Sequence, residues 1–140
     1  MYINSIVNNK EREYIMTVLV EKSVTTLEDG IENLLESAKT DYINRYGDDV
    51  NSDVAKKMIG QFNDGFVVKS GSKYVKIMCG NGGTPGGSCW GFVVKEDPPK
   101  FKKGDILKPA GWNKPATNSA RGNVLDGMYE INWTGPVYLS

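Results

Sequence analysis

Apolar residues in the first part of the chain form one strand-like run and then recur at helical spacing. Residues 14–21 are β-branched and apolar, which predicts a strand. Thr25 and Glu28 fit the capping-box pattern of a helix start, and Gly47 stands where a helix would end. The apolar positions between them are Ile31, Leu34, Leu35, Ala38 and Tyr42. Their spacing of three or four residues predicts one long helix.

A second, shorter helix is predicted to begin at Asn51 or Ser52 and to end near Gly65. Its apolar positions, which share one helical face, are Val54, Met58, Ile59 and Phe62. Residues 1–65 therefore supply a strand and two helices.

From residue 66 onward the pattern changes to short β-branched runs. Residues 66–69 and 73–79 flank Ser70 and Gly71 and predict a hairpin. Further strands are predicted at residues 89–95, 101–108 and 128–133, the first ended by Pro98 and Pro99 and the second bent at Gly104. One strand, two helices and then several strands predict an α+β fold with a mostly antiparallel sheet. The length of 140 residues suits a single domain over residues 1–140.

Two stretches are predicted to be irregular. Residues 80–87 are rich in glycine and predict a mobile hairpin loop, with a lid over a ligand as the alternative. They match neither a Walker loop nor the dinucleotide fingerprint, because no lysine follows the last glycine and no helix is expected after it. Residues 109–123 are punctuated by proline and predict a loop with one helical turn.

Composition excludes several classes of protein. No apolar run approaches the ~20 residues that cross a bilayer, and the N-terminus lacks a secretion signal, so we expect a cytosolic protein without a membrane partner. Cys79 and Cys89 are predicted to be reduced and buried, with a bridge across a hairpin as the alternative. The chain has no histidine and no metal-binding spacing. We therefore expect no catalytic residues, no metal and no cofactor, and hence a protein that is not an enzyme.

Charge is balanced overall but unevenly distributed. Residues 1–66 hold seven Lys and Arg against twelve Asp and Glu, whereas residues 67–140 hold ten against five. The basic excess is densest between Lys100 and Arg121, where flat rings and amides are interleaved with the cations. Cations, rings and amides on irregular backbone are typical of sites that hold a phosphate and stack a base. The alternative is a solvated strand face with the aromatic side chains in the core.

Three stretches of the C-terminal third resemble a signature found in small proteins encoded mainly by bacteriophages. They run from Gly104 to Ala116, from Ala120 to Asp126 and from Trp133 to Leu139, after a Trp90-Gly-Phe-Val-Val94 run. The usual pattern has a serine at the position of Gly111 and often a histidine near Asn118. The resemblance implies an accessory protein that takes over a host function or counters host defence, with no assigned activity. Without the histidine, binding is favoured over chemistry.

We therefore predict a protein that binds a phosphate-bearing small ligand in the host cell cytoplasm and sequesters it without turnover. A nucleotide signal is the leading candidate, and the predicted contacts are Lys108, Trp112, Asn113, Lys114, Arg121 and Asn123. Two alternatives are a nucleic-acid-binding module that uses the same surface and a protein inhibitor of a host factor. The sequence leaves self-association open.

Overall fold

The computed structural model describes residues 2–4, 17–96 and 100–137. The predicted strand at residues 14–21 lies partly outside these ranges, as do Pro98 and Pro99. The helices are α1 (Leu27–Asn44) and α2 (Asp53–Asp64), joined through a 3-10 helix (Gly47–Asn51). The strands are β1 (Tyr2–Asn4), β2 (Thr17–Val20), β3 (Val67–Ser70), β4 (Tyr74–Asn81), β5 (Thr84–Val94), β6 (Ile106–Leu107), β7 (Pro109–Gly111), β8 (Lys114–Pro115), β9 (Tyr129–Asn132) and β10 (Gly135–Pro136).

Helix α1 confirms the long helix predicted from apolar spacing. Its N-cap is Thr26, one residue later than the predicted capping box, and the Thr26 hydroxyl accepts a hydrogen bond from the Asp29 N–H at 3.1 Å. Four of the five predicted stripe residues are buried, and Leu35 is half-buried. Gly47 opens the 3-10 helix instead of closing α1, whose C-cap is Arg45.

Helix α2 forms where it was predicted, and its apolar face is only partly covered by the rest of the fold. Ser52 caps it by accepting the Ala55 N–H at 3.1 Å, and Gly65 ends it. Ala55 is buried, whereas Val54 is 71% exposed and Met58 is 38% exposed. Helix α2 contacts α1 through Phe62, whose ring stacks on that of Tyr42 with centroids 4.2 Å apart. Ile59 and Phe62 are half-buried, so the exposed half of the apolar face is the part formed by Val54 and Met58.

The strands form two antiparallel sheets and one small hairpin. The first sheet has the order β1-β2-β9-β10, the second has the order β3-β4-β5-β6, and β7 pairs with β8. Helix α1 packs against β2 and β9. Buried residues of α1 and of both sheets share one core, which includes Leu34, Val18, Ile131, Ile77 and Trp90. The predicted α+β fold with two N-terminal helices and mostly antiparallel sheet is confirmed.

The glycine-rich stretch corrects the prediction of an irregular loop. Strands β4 and β5 run almost through it, and Asn81 pairs with Thr84 around a two-residue turn. Gly82 and Gly83 form that turn with φ of +58° and +87°. Positive φ at both central positions defines the type I′ turn, which matches the twist of the strands and which glycine adopts without strain. The glycines therefore close a long hairpin.

Residues 101–123 also differ from the prediction. The expected strand over residues 101–108 shortens to β6, because Gly104 has φ of +91° and turns the chain. The expected helical turn within residues 109–123 is wrong, since the chain there forms the β7–β8 hairpin. Proline is compatible with a short, exposed hairpin of this kind. Strand β9 lies within the predicted strand at residues 128–133.

Cys79 and Cys89 are free and half-buried on neighbouring strands. Burial raises the pKa of both thiols, and each packs against a different apolar cluster.

Neither of the two helices is long and apolar enough to cross a membrane.

Candidate ligand-binding surface

One face of the second sheet packs against the main core, and the other face packs against residues 101–120. Register places Lys69 opposite Lys76, Lys76 opposite Phe92, and Phe92 opposite Leu107. Paired residues of antiparallel strands point to the same side, so this row lies on one face. Phe92, Leu107, Val94 and Phe101 form a small apolar cluster there. We call this side of the sheet the outer face.

The β7–β8 hairpin lies against β5 and carries Trp112 and Asn113 at its tip. The Trp112 side chain is 49% exposed. The ammonium of Lys76 lies 3.6 Å from the centroid of the Trp112 ring and donates a hydrogen bond to Asn113 Oδ1 at 2.8 Å. Lys76 therefore connects the tip to the sheet, and its ammonium makes a cation–π contact with one face of the indole.

Further positive charge surrounds this tip. Lys114 follows Asn113 directly and is exposed, and Lys69 is exposed opposite Lys76. Lys108 is half-buried at the base of the hairpin, where its carbonyl oxygen accepts the Ala116 N–H at 2.7 Å. Burial lowers the pKa of the Lys108 ammonium, and the charge of Arg121 lowers it further. The outer face is thus basic and has a partly exposed indole on it.

Arg121 is bound within the fold. Its guanidinium donates to the Ser119 carbonyl at 3.2 Å, to the Val137 carbonyl at 3.0 Å and to Asn118 Oδ1 at 3.1 Å. These bonds connect the segment before β9 to the chain after β10. The planar group predicted to hold a phosphate thus joins two segments of the backbone.

Asn123 is buried and its amide is fully used. The amide nitrogen donates to the Lys103 carbonyl and to Asp105 Oδ1, both at 2.9 Å. Its Oδ1 accepts the N–H groups of Leu125 at 2.8 Å and Asp126 at 3.1 Å. The neighbouring Gly122 has φ of +143°, and a Cβ there would lie 2.5 Å from the Cβ of Tyr129. These residues close a turn that holds β6 against the chain before β9.

The predicted contacts therefore divide into two groups. Trp112, Asn113 and Lys114 come together at the hairpin tip, whereas Arg121 and Asn123 serve the turn beneath it, with Lys108 between them. Lys76 belongs to the tip but was missed, as was Lys69. Both lysines stand in the predicted hairpin, but the sequence did not show that the β7–β8 tip contacts Lys76 of β4.

Other cations of this segment are paired at the surface. The Lys100 ammonium bonds the Thr117 carbonyl, and Lys102 forms an ion pair with Asp126 at 2.7 Å. Both members of that ion pair are exposed, so it adds little to stability.

Two grooves lie away from the outer face. One of about 160 Å³ is lined by aromatic residues of both helices and by the β4–β5 turn, with Trp133 at its wall. Beside it, the buried Asp41 carboxylate accepts the Trp133 N–H at 2.8 Å. Burial raises the pKa of Asp41 to about 6, against the opposing effects of that bond and of Arg45. The other groove, of about 360 Å³, lies between α1 and β3.

Within the described ranges, no group of three or more Cys, Asp or Glu side chains lies close enough together to hold a metal ion.

Fold and surface together define a small α+β protein with an indole on a basic sheet face. A family model described as a family of unknown function (DUF7717) matches residues 5–139, so the chain belongs to that family. The match covers the helical half as well as the C-terminal third. Comparison with curated proteins and with solved structures gave no match.

Proposed function

We propose that this protein binds a phosphate-bearing ligand of nucleotide type on its outer face, through the tip of the β7–β8 hairpin. The observation that carries the proposal is the Trp112 indole, which is half exposed and held in place by the Lys76 ammonium 3.6 Å from its centroid. An indole fixed in this way loses little side-chain entropy when a second flat group stacks on it.

The tip offers separate partners for a base and for a phosphate. A base would stack on the open part of Trp112, and such stacking contributes about 1–3 kcal/mol. Lys114 and Lys69 are exposed around the tip and would neutralise phosphate oxygens. The Asn113 side chain stands beside the ring and would orient the ligand, while Lys76 adds positive charge from beneath.

The residues under the tip have a supporting role in this proposal. Arg121 and Asn123 are occupied by backbone carbonyls and N–H groups, and the Lys108 carbonyl closes the hairpin base. They would hold the tip in its position without contacting the ligand directly, and the charges of Arg121 and Lys108 would add to the positive electrostatic field there.

The biological role that we propose is sequestration without turnover in the cytoplasm of an infected host. The support is the resemblance of the C-terminal third to phage-encoded accessory proteins, together with a surface suited to holding an anion. The sequence also has no histidine, the side chain that most often serves as a general base near neutral pH. A nucleotide signal of host defence is the ligand class that fits this role.

A single-stranded nucleic acid is the second candidate. Trp112 is half exposed at the hairpin tip and lines neither of the grooves described above, and an open basic surface with a ring also suits a strand. The two candidates share their chemistry and differ in the number of phosphates that they present.

Calorimetric titration with nucleotides, cyclic nucleotides and short single strands tests the proposal. We expect Trp112→Ala to weaken binding roughly tenfold or more and Lys114→Ala to weaken it by a smaller factor, from the stacking and charge terms. Val54→Ala and Lys57→Ala remove an exposed apolar group and an exposed charge on α2 and should leave binding unchanged. No binding of any of these ligands, or equal losses in the two control variants, contradicts the proposal.

Salt dependence separates the two candidates. For single strands the logarithm of the binding constant falls with that of the salt concentration with a slope of about −0.7 per phosphate contacted. A steep slope that grows with strand length identifies nucleic acid as the ligand. A shallow slope with preference for a mononucleotide or cyclic nucleotide identifies the small ligand.

A further inference from the structure

Strand β3 forms one edge of the second sheet, opposite β6 in the strand order. All four of its residues are exposed, and Val67 and Val68 are 40% and 45% exposed. The Gly71 N–H donates to the Tyr74 carbonyl at 2.8 Å, which fixes the phase of the β3–β4 ladder. Bonded pairs alternate along an antiparallel ladder, so Val68 and Ser70 direct their N–H and C=O groups away from β4. This edge can accept another strand.

An apolar groove runs beside that edge. Ile31 and Leu35 of α1 and Val68 of β3 form its floor, and its volume is about 360 Å³. Val68 pairs with Ile77, which is fully buried in the main core, so the Val68 side chain points to the side of the sheet where α1 lies. A strand added to β3 would place every second side chain over this floor.

The rim of the groove is acidic. Glu28, Glu32 and Glu36 line it and lie four residues apart, which brings them to one side of α1. Lys39 also lines the groove and pairs with Glu36 at 3.6 Å, so it offsets one of the three carboxylates. The charged residues that line the groove are therefore three carboxylates and one ammonium, which gives the rim a net negative charge.

We propose that this groove binds an extended segment of a partner protein with alternating apolar and basic residues, which adds to β3 as a fifth strand. Backbone pairing with Val68 and Ser70 would give affinity, apolar side chains would cover Ile31 and Leu35, and basic side chains would meet the rim glutamates. Charge complementarity selects the basic partner. The surface is separate from the outer face, so this inference does not rest on the proposed ligand.

Titration with a synthetic eight-residue peptide of alternating Val and Lys, followed by calorimetry, tests the groove. We expect Val68→Pro to weaken binding roughly tenfold, since proline removes an outward N–H and leaves the ladder with β4 intact. Glu32→Lys should weaken binding through charge reversal, and Asp64→Lys, an equal charge reversal on α2, should not. The matching Val-Glu peptide should not bind.

A second probe avoids any change to the protein. The Val-Lys peptide methylated on alternate backbone nitrogens keeps its charge and its side chains but cannot form the ladder on one side. Binding that survives this methylation and Val68→Pro, or absence of binding by the unmodified peptide, overturns the proposal. A concentration-dependent dimer of the protein that Val68→Pro abolishes also overturns it, because the edge would then serve a second copy of the chain.

Discussion

The β7–β8 hairpin and the turn around Asn123 are neighbours with the same kinds of residue and opposite roles. Both contain amide side chains and cations within the C-terminal third. At the hairpin tip, Trp112 is 49% exposed and Asn113 is exposed. In the turn, Asn123 is 6% exposed and makes four hydrogen bonds within the fold. The two regions share these residue types, but their polar groups are available to different partners.

The difference shows what distinguishes a structural polar residue from one that can bind a ligand. A buried amide must satisfy its hydrogen bonds inside the protein, because losing water without a partner costs free energy. Asn123 meets this demand and has no capacity for a further ligand. Asn113 uses its oxygen for Lys76 and otherwise faces solvent. Mutations in the two regions should therefore separate stability from binding.

Asn123→Ala should have the largest effect on stability. The substitution removes four hydrogen bonds and leaves the buried Asp105 carboxylate with fewer donors, so we expect unfolding to become easier by about 3 kcal/mol. Urea denaturation measures this as a lower midpoint with an unchanged slope. Asn113→Ala is the matched control at the tip and should change stability by less than about 0.5 kcal/mol. Similar losses in the two variants would contradict the distinction.

Arg121→Lys should have an intermediate effect. Lysine keeps the charge but cannot reach the Ser119, Val137 and Asn118 oxygens together, so we expect a loss of about 1–2 kcal/mol of stability. Ligand affinity of the folded variant should stay within about threefold of the parent if Arg121 only supports the tip. A large fall in affinity at unchanged stability would instead make Arg121 a direct contact.

Much of this architecture could be predicted from local patterns. The stripe from Ile31 to Tyr42 predicted α1 because its period is set within the helix itself. The exposure of Val54 and Met58 could not be predicted, since amphipathic spacing identifies a face without saying whether a neighbour covers it. The β4–β5 turn was also missed, because the Gly82-Gly83 pair is compatible with a tight hairpin and with an irregular loop.

The candidate site was predicted by region and not by residue. The basic segment was found from composition, and Trp112 to Lys114 do share one exposed tip. Distinguishing them from Arg121 and Asn123 required knowing that Arg121 bonds Val137 and that Asn123 bonds Asp105. Both contacts join residues that are distant in the sequence. Lys76 was missed for the same reason, because thirty-seven residues separate it from Asn113.

Trp112→Ala should have a smaller effect on stability than Asn123→Ala or Arg121→Lys and a large effect on binding. Removing the indole gives up a cation–π contact with Lys76 at a half-exposed site, which is worth about 0.5–1 kcal/mol, and the core beneath is unchanged. Urea denaturation and ligand titration of the same sample measure both quantities. Lys76→Met is the companion variant, because it removes the cation from beneath the ring and keeps the aliphatic length. If the indole acts as a stacking platform, Trp112→Ala must weaken binding more than Lys76→Met does, although both variants lose the cation–π contact and Lys76→Met also loses the hydrogen bond to Asn113 Oδ1. The reverse order would mean that the charge of Lys76 holds the ligand and that the ring only positions it.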